Sequence, residues 1–392
     1  MRILHITHDW GGGLPKWSND FSMAAENQGH DCYLFSCEKD GENYGARYVL
    51  YKNNFKNVIE EIETDQPIVE TDIRNPSYEK ILGRVLEKYR IEKLIVSTVI
   101  GHSLEVFKFP LPKVFVVHDY FPYCPAINIY HGRPCQSCDD ESLRKCVGIN
   151  EMTERFKKFP AEFWIKERRA FYEALRAGGA ALAYPDESVR ENLERLDSNY
   201  KNLASFIIPH GIDEEQVNCF GGAPDSRKLR LLIPGRFTLD KGNEFIKGLI
   251  PHILDRFEIL PYGCLADGIL YYSQFKNLNP VKEYKPENMK RDLLEMKPDL
   301  ALLASKVPET FSYTLSEMNC FAIPVVANRL GSFGNRIKPG EGFFFEQNTD
   351  SLISVMNDLD KNRVKLRSAS AALVKHKSRT ITDMVNDYLK II

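Results

Sequence analysis

Short runs rich in β-branched and apolar residues recur along the chain: Arg2 to Thr7, Leu94 to Val99, Val114 to Val117, Phe206 to Ile208, Leu229 to Ile233, Leu300 to Ala304 and Pro324 to Ala327. Between them lie charged stretches with apolar residues at helical spacing, among them Tyr78 to Tyr89, Ala161 to Ala177, Glu187 to Leu196 and Lys285 to Met296. Unbroken apolar runs predict strands buried on both faces, and helices interposed between them predict parallel sheets with helices on either side. The expected fold class is α/β and doubly wound. A single large domain is the simpler arrangement. Against it, Pro209-His210-Gly211-Ile212-Asp213 leads into a loop ending Gly221-Gly222-Ala223-Pro224-Asp225-Ser226, and a fresh strand starts at Lys228. That is the pattern of a linker between two similarly built halves. The boundaries are placed at 1–215 and 216–377, with a last helix over 378–392 whose Ile381, Met384, Val385, Tyr388 and Leu389 share one face.

Composition narrows the function. At roughly 150 residues per domain, 392 residues accommodate two or three domains with cores of their own. Lys plus Arg number 52 against 54 Asp plus Glu, and a net charge of −2 excludes a globally basic nucleic-acid binder. No apolar run reaches the length of a membrane-spanning helix. The chain opens on a strand, with no signal peptide in evidence, and its nine cysteines are an odd number, so reduced thiols and a cytoplasmic location are expected.

Three loops carry candidate chemistry. The first strand runs into Gly11-Gly12-Gly13, where the backbone can approach a ligand and offer amide groups to an anion; a flexible turn is the plainer alternative. The spacing is not that of a dinucleotide-binding fingerprint. In the second half, Gly235-Arg236 and Lys241-Gly242 follow a strand, and a guanidinium fork with a point charge five residues on can converge on one diphosphate. Two solvated surface cations would look the same. The third loop holds Glu309, then Phe311, Ser312 and Tyr313 at a helix start, then Glu317. On one helix the two carboxylates would be offset by about 80°. With Glu309 in the loop ahead of the helix, both can face one ligand, and the amides of Phe311 to Tyr313 can meet an anion. Carboxylates flanking an anion site suit hydroxyls at both ends of a diphosphate, as in a nucleotide sugar. A solvated Glu317 and a helix-dipole Glu309 are the alternative.

Taken in order, the early glycine loop, Ile208-Pro209-His210-Gly211-Ile212-Asp213, Gly235-Arg236 to Lys241-Gly242, Glu309-x7-Glu317 and Pro324-Val325-Val326-Ala327 resemble a retaining glycosyltransferase of family 4 over nearly the whole chain. Pro308-Glu309-Thr310-Phe311-Ser312-Tyr313-Thr314-Leu315-Ser316-Glu317 and His118-Asp119-Tyr120-Phe121-Pro122-Tyr123-Cys124-Pro125 are similar to bacterial transferases that build O-antigen, lipopolysaccharide and other surface polysaccharides. The resemblance implies a GT-B fold, two Rossmann-like domains facing a central cleft, and a hexosyl- or deoxyhexosyltransferase using a UDP, GDP or dTDP sugar. It implies that Glu309 holds donor-sugar hydroxyls and Glu317 the ribose. Arg236 and Lys241 would neutralise the diphosphate, Gly12 and Gly13 would approach it, and His118 would line the pocket near the transferred sugar. No cofactor is required for catalysis, because the cations do a metal's work. The last helix would cross back onto the first domain. Three departures bear on donor identity: Thr310 and Ser312 stand where the family has small residues and Gly, Ala322-Ile323 precedes Pro324, and Leu330-Gly331-Ser332-Phe333-Gly334 replaces a Gly-Gly loop.

Two further features remain. Cys124, Cys135, Cys138 and Cys146 fall within 23 residues around a Cys-x2-Cys pair, with His131 among them; tetrahedral zinc and a thiol-rich loop are both open. The stretch Glu154 to Arg169 is net basic with Phe156, Phe159, Phe163 and Trp164 interleaved. It is read either as a helix docking on anionic lipid at the inner membrane face, where a lipid-linked glycan acceptor would sit, or as a core helix. Rival functions are a GT-B nucleotide-sugar epimerase and a non-catalytic GT-B subunit that binds a partner transferase. Base recognition is expected around Pro261-Tyr262-Gly263 and Val281 to Tyr284.

Overall fold

The computed structural model describes residues 1–156, 159–276, 278–283 and 286–392. Lys157, Lys158, Tyr284 and Lys285, on which parts of the basic helix, the base-recognition loop and the helix expected from Lys285 fall, lie outside the described residues. The chain divides into two compact units, Met1–Gly211 with Arg379–Ile392, and Ile212–Ser378. The last helix, Ile381–Ile391, is thus part of the first unit.

The first unit is built on eight strands: β1 (Arg2–His8), β2 (Asp31–Asp40), β3 (Asn43–Lys52), β4 (Val58–Ile68), β5 (Lys93–Val96), β6 (Lys113–Val116), β7 (Ala181–Tyr184) and β8 (Ser205–Ile207), in the order β8-β7-β6-β5-β1-β2-β3-β4. Strand β1 lies between parallel neighbours, with His5 beside Leu34 and Ile95, and all but one of its residues are buried. Both faces are covered, so it is rich in apolar residues, and its polar His5 and Thr7 are buried with them. The helix Leu14–Asn27 starts from Gly13 with Pro15 in its first turn, and buries Trp17, Phe21 and Ala25. Tyr388 of the last helix meets the Trp17 ring edge-on at 5.3 Å. Thr380 and Asp383 close a capping box at that helix's start, which stabilises it by roughly 1 kcal/mol.

The expectation of purely parallel sheets needs one correction. Strands β2, β3 and β4 pair antiparallel, extending the sheet on one side. Strand β4 mixes acidic residues with a few apolar ones, burying only Ile62 and Ile68, and its outer edge keeps Val58 half exposed. Such a half-solvated strand lacks the continuous apolar run of a doubly covered one.

The second unit carries β9 (Leu229–Pro234), β10 (Phe257–Tyr262), β11 (Leu300–Leu303), β12 (Val325–Asn328) and β13 (Gly342–Phe345), all parallel in the order β10-β9-β11-β12-β13. Alternation along β9 sends Leu231 and Ile233 to a core with Phe245, Leu249 and Ile253, and Leu232 to a second core with Leu315, Met318 and Phe321. Both faces are therefore covered, and ligand sites of such sheets form at the carboxyl ends of the strands.

Candidate functional site

In the second unit those carboxyl ends gather most of the expected residues. Beyond Pro234 the chain turns through Gly235 at φ 99°, whose amide donates to the Tyr262 carbonyl at 2.8 Å. It turns again at Gly242, φ 76°, where a Cβ would come within 1.8 Å of the Ala304 carbonyl oxygen. Glycine is required there for both conformation and space. The helix Asn243–Ile253 follows. A cavity of about 50 Å³ opens between this loop and the one after β11, lined by Arg236, Lys241, Ser305, Glu309 and Ser312 among others.

Lys241 Nζ lies 2.5 Å from Glu309 Oε1, with the lysine side chain 44% exposed and the glutamate 13%. Burial alone would lower the lysine's pKa, but the Glu309 carboxylate outweighs it and holds the ammonium above the ordinary range. Arg236 is exposed at the same cavity. Arg236 and Lys241 both line the cavity, and Lys241 is already paired with Glu309.

The Glu309 loop is held from behind by Gly331 and Ser332 and by Arg336, for which the sequence carries no local signal. Gly331, at φ 54°, packs its Cα against the backbone of Glu309, where a Cβ would come within 2.3 Å of the carbonyl oxygen. The Ser332 amide donates to that carbonyl at 2.8 Å, and its hydroxyl to the Phe311 carbonyl at 3.0 Å. The Arg336 guanidinium stacks 3.6 Å from the Phe311 ring and donates to the carbonyls of Phe311 and Ser312 and to Ser316 Oγ. Ser312 sits at φ 67°, ψ 92°, and its hydroxyl accepts from the Leu315 amide, capping the helix Tyr313–Cys320. A serine holds here a conformation that suits glycine, pinned by Arg336. Glu317 is buried within that helix and is not among the residues lining the cavity, nor are Phe311 and Tyr313.

In the first unit, Gly11 and Gly12 have φ of 55° and 74°, and a Cβ on Gly12 would meet open space. Conformation, not crowding, selects glycine at that turn. His118 lies two residues past β6, partly exposed, with Nε2 3.2 Å from Ser97 Oγ. Burial, with His8 adding repulsion, pushes its pKa down to about 3, so the imidazole is neutral at pH 7.

The four thiols of Cys124, Cys135, Cys138 and Cys146 line one cavity of about 280 Å³ with His131 and Arg168. Arg168 Nη2 lies 3.0 Å from Cys138 Sγ, and Asn150 Nδ2 3.1 Å from Cys146 Sγ. Among the described residues no three His, Cys, Asp or Glu side chains are gathered in metal-holding geometry. The spacing thus brings the cysteines to one cavity without a formed ligand set. The basic helix Ala161–Ala177 buries Trp164 completely, edge-on to Phe121 at 5.6 Å, and Phe163 stacks on Phe159 at 3.9 Å. Its aromatic face packs into the unit's own core. Among the described residues no helix is long and apolar enough to cross a membrane.

No protein-family model matches the sequence, and no curated protein does either. Solved structures do match it. Sucrose-phosphate synthase of Thermosynechococcus elongatus is similar over 100% of this chain and 98% of its own, at 13% identity and a TM-score of 0.67. HepE of Anabaena, in complex with UDP-glucose, is similar over 100% of both chains at 14% identity and a TM-score of 0.59. The lipopolysaccharide outer core galactosyltransferase WaaB covers 100% of this chain and 99% of its own, at 14% and 0.60. The fold is of the GT-B type. In the GT-B frame, Arg236, Lys241 and Glu309 lie on the loops after β9 and β11 of the second Rossmann-like unit.

Proposed function

We propose that this chain is a retaining glycosyltransferase of family 4, moving a sugar from a nucleoside-diphosphate donor to a growing, lipid-linked glycan of a surface polysaccharide. The observation that carries the reading is the meeting of Arg236, Lys241 and Glu309 on one cavity at the carboxyl end of a parallel sheet. The same fold in Anabaena HepE is in complex with UDP-glucose. The similarity to WaaB, a lipopolysaccharide galactosyltransferase, supports the surface-glycan part.

Glycosyl transfer develops positive charge on the sugar while negative charge grows on the departing diphosphate. Arg236 and Lys241 stabilise that departing charge. Glu309 leaves Lys241 for the donor-sugar hydroxyls, and Glu317 is assigned to the ribose. From the first unit, Gly12 and Gly13 are assigned to the diphosphate and His118 to the transferred sugar, following the resemblance. The cations balance the leaving group without a metal in the reaction, and the departing phosphate oxygen is the natural acceptor for the acceptor hydroxyl's proton.

Donor turnover tests this reading. Purified protein is incubated with UDP, GDP, ADP and dTDP sugars, and the released or transferred sugar is followed by proton NMR of its anomeric centre. Retention of configuration is expected, and Arg236→Ala should lower turnover by about a hundredfold, the loss typical of one preorganised charge stabiliser. Inversion, or an unchanged turnover number in that variant, contradicts it. Nucleotide binding without turnover or transfer would mark a non-catalytic subunit instead.

A further inference from the structure

Ser97, the first residue after β5, is buried and lies between two imidazoles. Its Oγ is 2.7 Å from His5 Nε2 and 3.2 Å from His118 Nε2. Among the described residues it has no third hydrogen-bond partner. Burial lowers the pKa of both histidines, so each ring carries one proton. A hydroxyl has one proton to donate, and a buried one is almost always used. One imidazole must therefore accept at Nε2 and the other must donate there.

His5 decides which. Its Nδ1 is buried without a partner among the described residues. A proton on Nδ1 would be an orphaned buried N–H, which folded proteins avoid more strictly than an unfilled lone pair. The His5 proton therefore sits on Nε2 and points at Ser97, with Ser18 Oγ a longer 3.5 Å neighbour. The Ser97 hydroxyl then donates to His118 Nε2, which leaves the His118 proton on Nδ1. Trp17 fixes the ring planes, edge-on to His5 at 5.2 Å and to His118 at 5.0 Å.

We propose that Ser97 and His5 are positioning residues: the directed chain from His5 Nε2–H through the Ser97 hydroxyl to His118 Nε2 holds His118 as the Nδ1–H tautomer and so presents a hydrogen-bond donor, not an acceptor, at that nitrogen. The part of the proposal that concerns catalysis rests on the transferase reading, in which His118 meets the sugar. The tautomer itself does not. A neutral Nδ1–H donor suits a sugar hydroxyl or ring oxygen and adds no charge beside a developing oxocarbenium ion.

The test uses full-length protein labelled with ¹⁵N-histidine. Two-bond proton–nitrogen correlations separate a protonated from an unprotonated ring nitrogen, and the His118 signals are assigned by their loss in His118→Gln. His118 is expected protonated at Nδ1 in the wild type. In Ser97→Ala it should move toward Nε2–H or a mixture, and in Ser97→Thr, which keeps the hydroxyl, it should return. With the preferred donor, kcat should fall about tenfold in Ser97→Ala with KM nearly unchanged, and recover in Ser97→Thr. A wild-type His118 protonated at Nε2, or the same signature in Ser97→Ala and wild type, overturns the proposal. If the wild type turns over no nucleotide sugar, the transferase reading fails and the spectra still decide the tautomer.

Discussion

The ion pair between Lys241 and Glu309 makes opposite predictions for its two partners. Glu309 neutralises Lys241, the cation assigned above to the diphosphate. Glu309→Gln should free it. Because Lys241 is 44% exposed, the pair is solvent-screened and contributes about 0.2–1 kcal/mol. Nucleoside diphosphate binding should therefore tighten in Glu309→Gln by at most about fivefold. Lys241→Met removes a charge-assisted hydrogen bond to phosphate, about 1.5–3 kcal/mol, so the same ligand should bind roughly 10- to 150-fold more weakly. Isothermal titration with UDP reads both, and inorganic pyrophosphate serves as a probe independent of the base. Raising the salt concentration should shrink both differences. Transfer should be lost in Glu309→Gln although binding improves, because the sugar hydroxyls lose their acceptor. Weaker binding of both probes to Glu309→Gln, or unaltered binding to Lys241→Met, would show that the pair does not compete with a diphosphate.

Two further outcomes concern the scaffold. Gly242→Ala brings a Cβ within 1.8 Å of the Ala304 carbonyl at φ 76°, and should cost at least about 2 kcal/mol in urea unfolding, with a change below about 0.5 kcal/mol contradicting the geometry. Glu167 is buried, and that burial, with Asp72 adding repulsion, pushes its pKa up to about 8 from 4.5. The folded chain therefore holds this proton where the unfolded chain has lost it, and stability drains as pH rises from about 4.5 through about 8. Glu167→Gln should match the wild type near pH 4 and exceed it at pH 9 by up to a few kcal/mol, and equal urea midpoints at pH 9 would refute the shift.

What was legible in the sequence follows from how the residues are used. Strands flanked on both sides and covered on both faces stand out: β11 is apolar throughout, and β1 carries Ile3, Leu4 and Ile6 around its buried His5 and Thr7. The helices Ala161–Ala177 and Glu187–Leu196 have the bounds their apolar spacing predicts. Strand β4 does not stand out, because an edge strand mixes Glu60, Glu61 and Glu63 with its apolar face, and β10 is interrupted by Glu258 and Pro261. At the site, Arg236, Lys241 and Glu309 could be found because each follows a readable strand. The Lys241–Glu309 pair joins residues 68 apart, and Arg336 reaches back 24 residues to Ser312, so neither contact leaves a local signature. The relay through Ser97 is hidden for the same reason. Its partners lie 92 and 21 positions away, brought together only by the pairing of β1, β5 and β6.

Whether the cavity at Arg236 and Lys241 takes a nucleoside diphosphate is answered most directly by thermal unfolding of the wild type and Arg236→Ala in the presence of UDP, GDP, ADP and dTDP. A ligand at 100 times its dissociation constant adds about 2.7 kcal/mol to the folded state, several degrees in melting temperature for units of this size. One nucleotide should raise the wild-type midpoint by that order and Arg236→Ala by clearly less. If none of the four moves the wild type, the cavity is not a nucleotide-sugar site and the transferase reading falls.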